Sequence, residues 1–171
     1  MWLSHQVLPL DERGYGYLIG QTALGARRLH AALAGADLGH FRAVLLPEPD
    51  INIVCWVVVR PGCATLAELN RLNEGIYREL SLHRPGGAPE YIITRTRFEH
   101  PQYDGAIPPL LERLGVGSLD EWRGPEGGLV VLRATVMDPF LAAPPPVPDH
   151  VTGFVAALRR AADAATDRPG G

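Results

Sequence analysis

Arg133 sits inside Val130-Val131-Leu132-Arg133-Ala134-Thr135-Val136, a run otherwise built for burial. A guanidinium in such a strand needs a partner, because an unpaired buried charge is strongly unfavourable. Two arrangements satisfy the pattern. One is a ligand anion, since the planar fork suits a carboxylate bidentately. The other is structural: an arginine at a sheet edge, reaching solvent or pairing with Asp138 or a glutamate. Arg95 and Arg97, in Thr94-Arg95-Thr96-Arg97, share one strand face, which reads as a solvated face before it reads as a binding patch. His100 and Tyr103 lie in His100-Pro101-Gln102-Tyr103-Asp104-Gly105. That segment suits an active-site loop, and equally a turn around a packed tyrosine.

Several chemistries are excluded or unsupported. All sixteen basic residues are arginine, so no side chain of this chain can form a lysine Schiff base. The six histidines and two cysteines show no metal-ligand spacing, so no metal site is expected. No serine lies in a nucleophile-elbow pattern. Gly14-Tyr15-Gly16-Tyr17-Leu18-Ile19-Gly20 misses the dinucleotide fingerprint by one position and follows no strong strand. A net charge of −3 and 46% hydrophobic residues describe a globular chain with no basic surface for nucleic acid or membrane. The N-terminus lacks the two regions of a signal peptide, and the expected location is the cytoplasm.

The elements that must position these residues centre on Ile51–Val59, where only Asn52 is polar. Such a run predicts a central strand covered on both faces, stopped by Pro61-Gly62. Phe41–Leu46 predicts its antiparallel hairpin partner. Tyr91–Phe98 and Leu129–Met137 predict two further strands. In the former, Ile92, Thr94, Thr96 and Phe98 share one face. Leu18, Thr22, Ala26, Leu29 and Leu33 mark a helix over 15–36. Thr65-Leu66-Ala67-Glu68 has capping-box spacing ahead of Leu69, Leu72, Ile76 and Leu80, and Arg84-Pro85-Gly86-Gly87 is the expected stop. Asp149 can cap a last helix with Val151, Phe154, Val155 and Leu158 on one face. Residues 99–128 read as a long functional or interface loop with one amphipathic turn at Leu110, Leu111 and Leu114. The expected class is α+β: a mainly antiparallel sheet of about four strands with helices on one face. The organisation is a linking helix region at 1–40, a small domain at 41–166 and a frayed tail at 167–171.

A series of short matches runs along nearly the whole chain: Pro9-Leu10-Asp11, Gly14-Tyr15-Gly16 and Gly25-Ala26-Arg27-Arg28-Leu29; Pro49-Asp50-Ile51-Asn52-Ile53-Val54-Cys55; Leu69-Asn70, Asn73 and Ile76-Tyr77; Tyr91-Ile92-Ile93-Thr94-Arg95-Thr96; and Leu132-Arg133-Ala134-Thr135-Val136-Met137-Asp138-Pro139. In this order they resemble the C-terminal part of the group II pyridoxal-phosphate-dependent decarboxylases. Glutamate and aromatic L-amino-acid decarboxylase belong to that group, within the aspartate-aminotransferase fold.

The resemblance implies the small domain of that fold, without the half that holds the cofactor through a lysine, an aspartate and a histidine. It also implies that a strand like Val131-Leu132-Arg133 supplies an arginine to the substrate carboxylate. The expectation is a small-domain polypeptide, inactive alone, with no catalytic or cofactor-binding residue of its own and pyridoxal phosphate present only in the assembled system. Its partner would be a separate large subunit. Met1-Trp2-Leu3, reading like the middle of an element, is expected to come from a longer ancestor. Trp2, Leu3, Val7 and Leu8 are expected to form an exposed apolar patch that drives self-association. The alternatives are a non-catalytic binding or regulatory domain and a gene remnant.

Overall fold

The computed structural model describes residues 6–143, 146 and 148–167. Among these the elements are α1 (Tyr15–Ala34), β1 (Arg42–Leu45), β2 (Ile53–Val59), α2 (Leu66–Glu79), β3 (Thr94–Phe98), α3 (Ile107–Leu114), α4 (Leu119–Arg123), β4 (Leu129–Thr135) and α5 (His150–Asp167). The strands form one antiparallel sheet in the order β1-β2-β4-β3. The α+β expectation and the β1–β2 hairpin hold, and β2 is central. The frayed tail expected at 167–171 lies outside the described residues beyond Asp167.

Alternation along β2 and β4 builds two cores. Val54, Trp56 and Val58 join Leu132 and Ala134 on one face, against Ala26, Leu29 and Leu33 of α1 and Phe154, Leu158 and Ala161 of α5. The long helices α1 and α5 lie here, and the short helices take the opposite face. On the other face, Val57, Val59, Leu129 and Val131 meet Leu110, Leu111 and Leu114 of α3 and Trp122 of α4. Residues 99–128 are therefore not an open loop but a packed cover over one end of this face. Ser118 caps α4 by accepting the Glu121 N–H (3.1 Å), which explains a helix that periodicity over five residues could not reveal.

Helix α2 ties the cores together. Leu66 and Leu69 belong to one and Leu72 and Ile76 to the other. Its capping box forms as the sequence predicts: Thr65 Oγ1 accepts from the Glu68 N–H and the Glu68 carboxylate from the Thr65 N–H. The helix stops at Glu79, well before Arg84-Pro85, because Leu80 turns into the core and its carbonyl accepts the Ile93 N–H (3.0 Å).

Between β2 and β4 the pairing runs only from Ile53↔Thr135 to Trp56↔Leu132. Continuing that register would place Val58 opposite Val130. Instead α2 presents two asparagines to the separated strands. Asn73 accepts the Val58 N–H (2.8 Å) and donates to the Val58 carbonyl (2.9 Å). Asn70 accepts the Val130 N–H (2.8 Å) and donates to the Gly128 carbonyl (2.7 Å). A carboxamide carries the donor and acceptor of a peptide group, so each side chain stands in for a missing strand neighbour.

Candidate functional site

The uncovered end of the second face is a short lattice of side chains. Arg133 lies directly across from Cys55 on β2 and from Thr94 on β3. Ile53 and Thr135 form the next pair outward. Arg133 and Cys55 are half-buried and Thr94 is exposed, whereas Leu129 and Val131 on the same face of β4 are sealed under α3 and α4.

Arg133 makes contact through one nitrogen. Its Nε–H donates to Thr94 Oγ1 (3.0 Å), and the Thr94 hydroxyl donates to the Arg133 carbonyl (3.2 Å). Among the described residues no carboxylate pairs with this guanidinium, Asp138 included, and Nη1 and Nη2 have no protein acceptor. Asp138 accepts instead from the Phe140 N–H (2.8 Å). Burial pushes the Cys55 thiol up from its ordinary value, and the nearby Arg133 charge offsets this only in part. The thiol stays neutral near pH 7 and leaves the arginine's charge uncompensated.

The other candidates sit elsewhere and are occupied. Arg95 bonds Glu74 on α2 (2.7 Å) and lies 4.1 Å over the Tyr77 ring. Arg97 donates to the carbonyls of Glu126 (2.8 Å) and Gly127 (2.6 Å). His100 bonds Asp104 (2.7 Å), and Tyr103 stacks on Phe98 with ring centres 4.3 Å apart. Thr94 and Phe98 are four residues apart on β3, about 13 Å, so the structure does not bring His100 and Tyr103 to Arg133.

A cleft of about 170 Å³ opens on the opposite face, between Leu29, Tyr91, Val136 and Phe154. Arg133 does not line it. Among the described residues no cluster of three or more His, Cys, Asp or Glu could hold a metal, and no helix is long and apolar enough to cross a membrane.

Beyond the open face, exposed apolar side chains gather at the same end of the sheet. Ile51 precedes β2, Ile92 precedes β3, and Met137 and Phe140 follow β4. Gly25 brings α1 against Val136 and Leu141, where a Cβ would already be only 3.2 and 3.1 Å from their side chains. The buried residues of α1 begin at Gly25, so its first half, with Tyr17, Ile19 and Leu24 exposed, stands off the core. Of the expected N-terminal patch, Val7 is exposed and Leu8 half-buried; Trp2 and Leu3 lie outside the described residues.

Thr94 and Cys55 were not singled out by sequence reasoning. Their signal lies in cross-strand register, which the order of residues along one strand does not contain.

The family described as "Tyrosine decarboxylase, C-terminal" matches residues 25–161, most of the chain. The chain belongs to that family. It is 34% identical over 146 residues to an L-tyrosine decarboxylase of Levilactobacillus brevis, covering 82% of this chain and 23% of that protein. The L-tyrosine decarboxylase of Enterococcus faecium is 33% identical over 150 residues, covering 82% and 24%. This chain thus spans about a quarter of the length of these curated relatives. The matched region contains β1 to β4, both asparagines of α2 and Arg133.

Proposed function

We propose that this polypeptide is the substrate-carboxylate-binding part of a pyridoxal-phosphate-dependent decarboxylase acting on tyrosine or a related aromatic amino acid. Arg133 is the residue that meets the α-carboxylate. The observation that carries the reading is a guanidinium on an open sheet face, charged, half-buried, and without a carboxylate partner among the described residues. An arginine so placed has desolvation already paid in part and its terminal fork available.

The chain's own residues do not fit the cofactor. There is no lysine in it, so a second part of the enzyme must hold pyridoxal phosphate, and with it the bond-breaking chemistry. What this chain contributes is a positive charge at a fixed place, Arg133, and an apolar margin of Ile51, Ile92, Met137 and Phe140 beside it. We assign that margin, together with the exposed half of α1, to contact with the cofactor-bearing part, as a separate large subunit. The isolated chain is then inactive and self-associates through the same surface. Two free thiols, Cys55 and Cys63, suit the reducing cytoplasm.

The test is reconstitution. This chain and a cofactor-bearing large subunit, expressed together, should co-purify and decarboxylate tyrosine, while either alone should not. In that complex Arg133→Lys keeps the charge and loses the fork. A charge-assisted hydrogen bond is worth roughly 1.5–3 kcal/mol, so KM should rise about tenfold to hundredfold. Unchanged KM would reject Arg133 as the carboxylate ligand. With its α-amino group blocked, the isolated chain mixed with pyridoxal phosphate and borohydride should give no side-chain adduct. A trapped adduct would overturn the division of labour.

A further inference from the structure

An arginine can grip a carboxylate in two bidentate ways, side-on through Nε and one Nη, or end-on through both Nη atoms. At Arg133 the first is closed. Its Nε–H is already donated to Thr94 Oγ1 at 3.0 Å. The same hydroxyl donates its own proton to the Arg133 carbonyl at 3.2 Å, which fixes the direction of its lone pairs toward Nε. We propose that Thr94 is a positioning residue: it locks the Arg133 side chain across the β3–β4 pair so that the guanidinium meets a carboxylate end-on, through Nη1 and Nη2. This deepens, and rests on, the reading of Arg133 as the substrate-carboxylate ligand.

Three features make Thr94 suited to the role. It sits in direct cross-strand register with Arg133, so both backbones are held by the sheet. Threonine is branched at Cβ and stiff at χ1, which keeps the oxygen in place on a strand. On the other flank stands Cys55, a thiol rather than a carboxylate, so no neighbouring anion competes for the fork. A long side chain with this much rotamer freedom, left untethered on an exposed face, would have to be ordered by the ligand at each binding event.

The experiment compares Thr94→Val, which keeps shape and strand preference but removes the hydroxyl, with Thr94→Ser, which restores it. In this chain, nitrogen-15 NMR of the arginine side chains should show slow Hε exchange at Arg133 in the wild type and Thr94→Ser, and fast exchange in Thr94→Val. In the assembled decarboxylase, Thr94→Val should raise KM for the amino acid about three- to tenfold, the cost of ordering one free side chain. Its kcat should hold, and inhibition by the product amine, which lacks the carboxylate, should not change. Thr94→Ser should recover the wild-type KM. Fast Hε exchange at Arg133 in the wild type would overturn the proposal. So would a normal KM in Thr94→Val beside a raised KM in Arg133→Lys. A normal KM in Arg133→Lys would instead sink the substrate reading itself.

Discussion

The two ends of the second sheet face treat their polar groups in opposite ways. Where α2, α3 and α4 cover it, the strands separate and Asn73, fully buried, supplies both hydrogen bonds that Val58 would have had from a neighbour. A few residues along the same strands none of the described residues covers this face, and among them Arg133 keeps two terminal nitrogens without a protein acceptor. Under cover, an unmet polar group costs its desolvation and stability demands a partner. At the open end solvent waits, so an unmet group is tolerated and remains free for a ligand. The asparagines of α2 thus serve the fold, whereas the arginine of β4 stays available for the role proposed above.

The sharpest way to break this contrast is Asn73→Ala. It strands the Val58 N–H and carbonyl in the interior and also removes the bond to the Leu69 carbonyl. Two buried groups left unmet should lower unfolding free energy by about 2–5 kcal/mol, read from denaturant titration. Asn70→Ala, only partly buried, should cost less. Arg133→Lys should leave the same titration almost unmoved. A stability loss at Arg133 as large as at Asn73 would erase the distinction between the two ends.

Next in size is a purely steric test of the covered side. A Cβ on Gly75 would lie 2.7 Å from Ala165 Cβ, where α2 and α5 touch. Overpacking a rigid helix contact of this kind costs typically about 1–3 kcal/mol, so Gly75→Ala should lower Tm although alanine is the better helix former. A raised Tm would mean that α5 yields readily there.

The sheet, its central strand and the capped start of α2 were legible because each is written in local pattern: an unbroken apolar run, a proline stop, a Thr-x-x-Glu box. The cover at 99–128 was legible only at the amphipathic turn Leu110, Leu111 and Leu114, which lies in α3; Pro, Gly and charge are frequent in the rest, and the five residues of α4 are too few for periodicity to speak. Ile107, Leu111 and Trp122 take their meaning from packing on β2 and β4, which no pattern within the segment contains. The site was half legible. A charge in an apolar strand marked Arg133, whereas Thr94 and Cys55 became its neighbours only through strand order and register. The asparagines were visible as letters, yet nothing in a helical stripe says that a sheet will open to receive them.

Arg95 offers a smaller comparison, between two arginines on adjacent strands. It pairs with Glu74 and lies over Tyr77 at a part-exposed surface, where each such contact contributes about 1 kcal/mol or less. Arg95→Lys should lower Tm slightly and, in the two-part enzyme proposed above, leave KM for the amino acid unchanged. A KM effect like that of Arg133→Lys would place substrate on the wrong face of the sheet.

The smallest expected effect uses acid, which weakens the covered end without altering the charge on Arg133. The Glu68 carboxylate accepts the N–H groups of Ala64 (2.9 Å) and Thr65 (3.3 Å) ahead of α2, and these bonds hold its pKa below the ordinary glutamate range. Because the folded pKa is the lower one, the stabilisation is fully present above the unfolded value. It is lost as pH falls through the folded value. Asp149, lowered chiefly by its bond to the Thr152 hydroxyl and next by the Thr152 N–H, behaves alike at the start of α5. Melting temperature should therefore be flat near neutrality and decline below about pH 4, where carboxylates begin to protonate. Glu68→Gln should start from a lower Tm at pH 7 and show a shallower decline. If wild type and Glu68→Gln fall in parallel on acidification, the cap contributes no proton linkage. The acid sensitivity of the fold must then come from Asp149 and the other carboxylates.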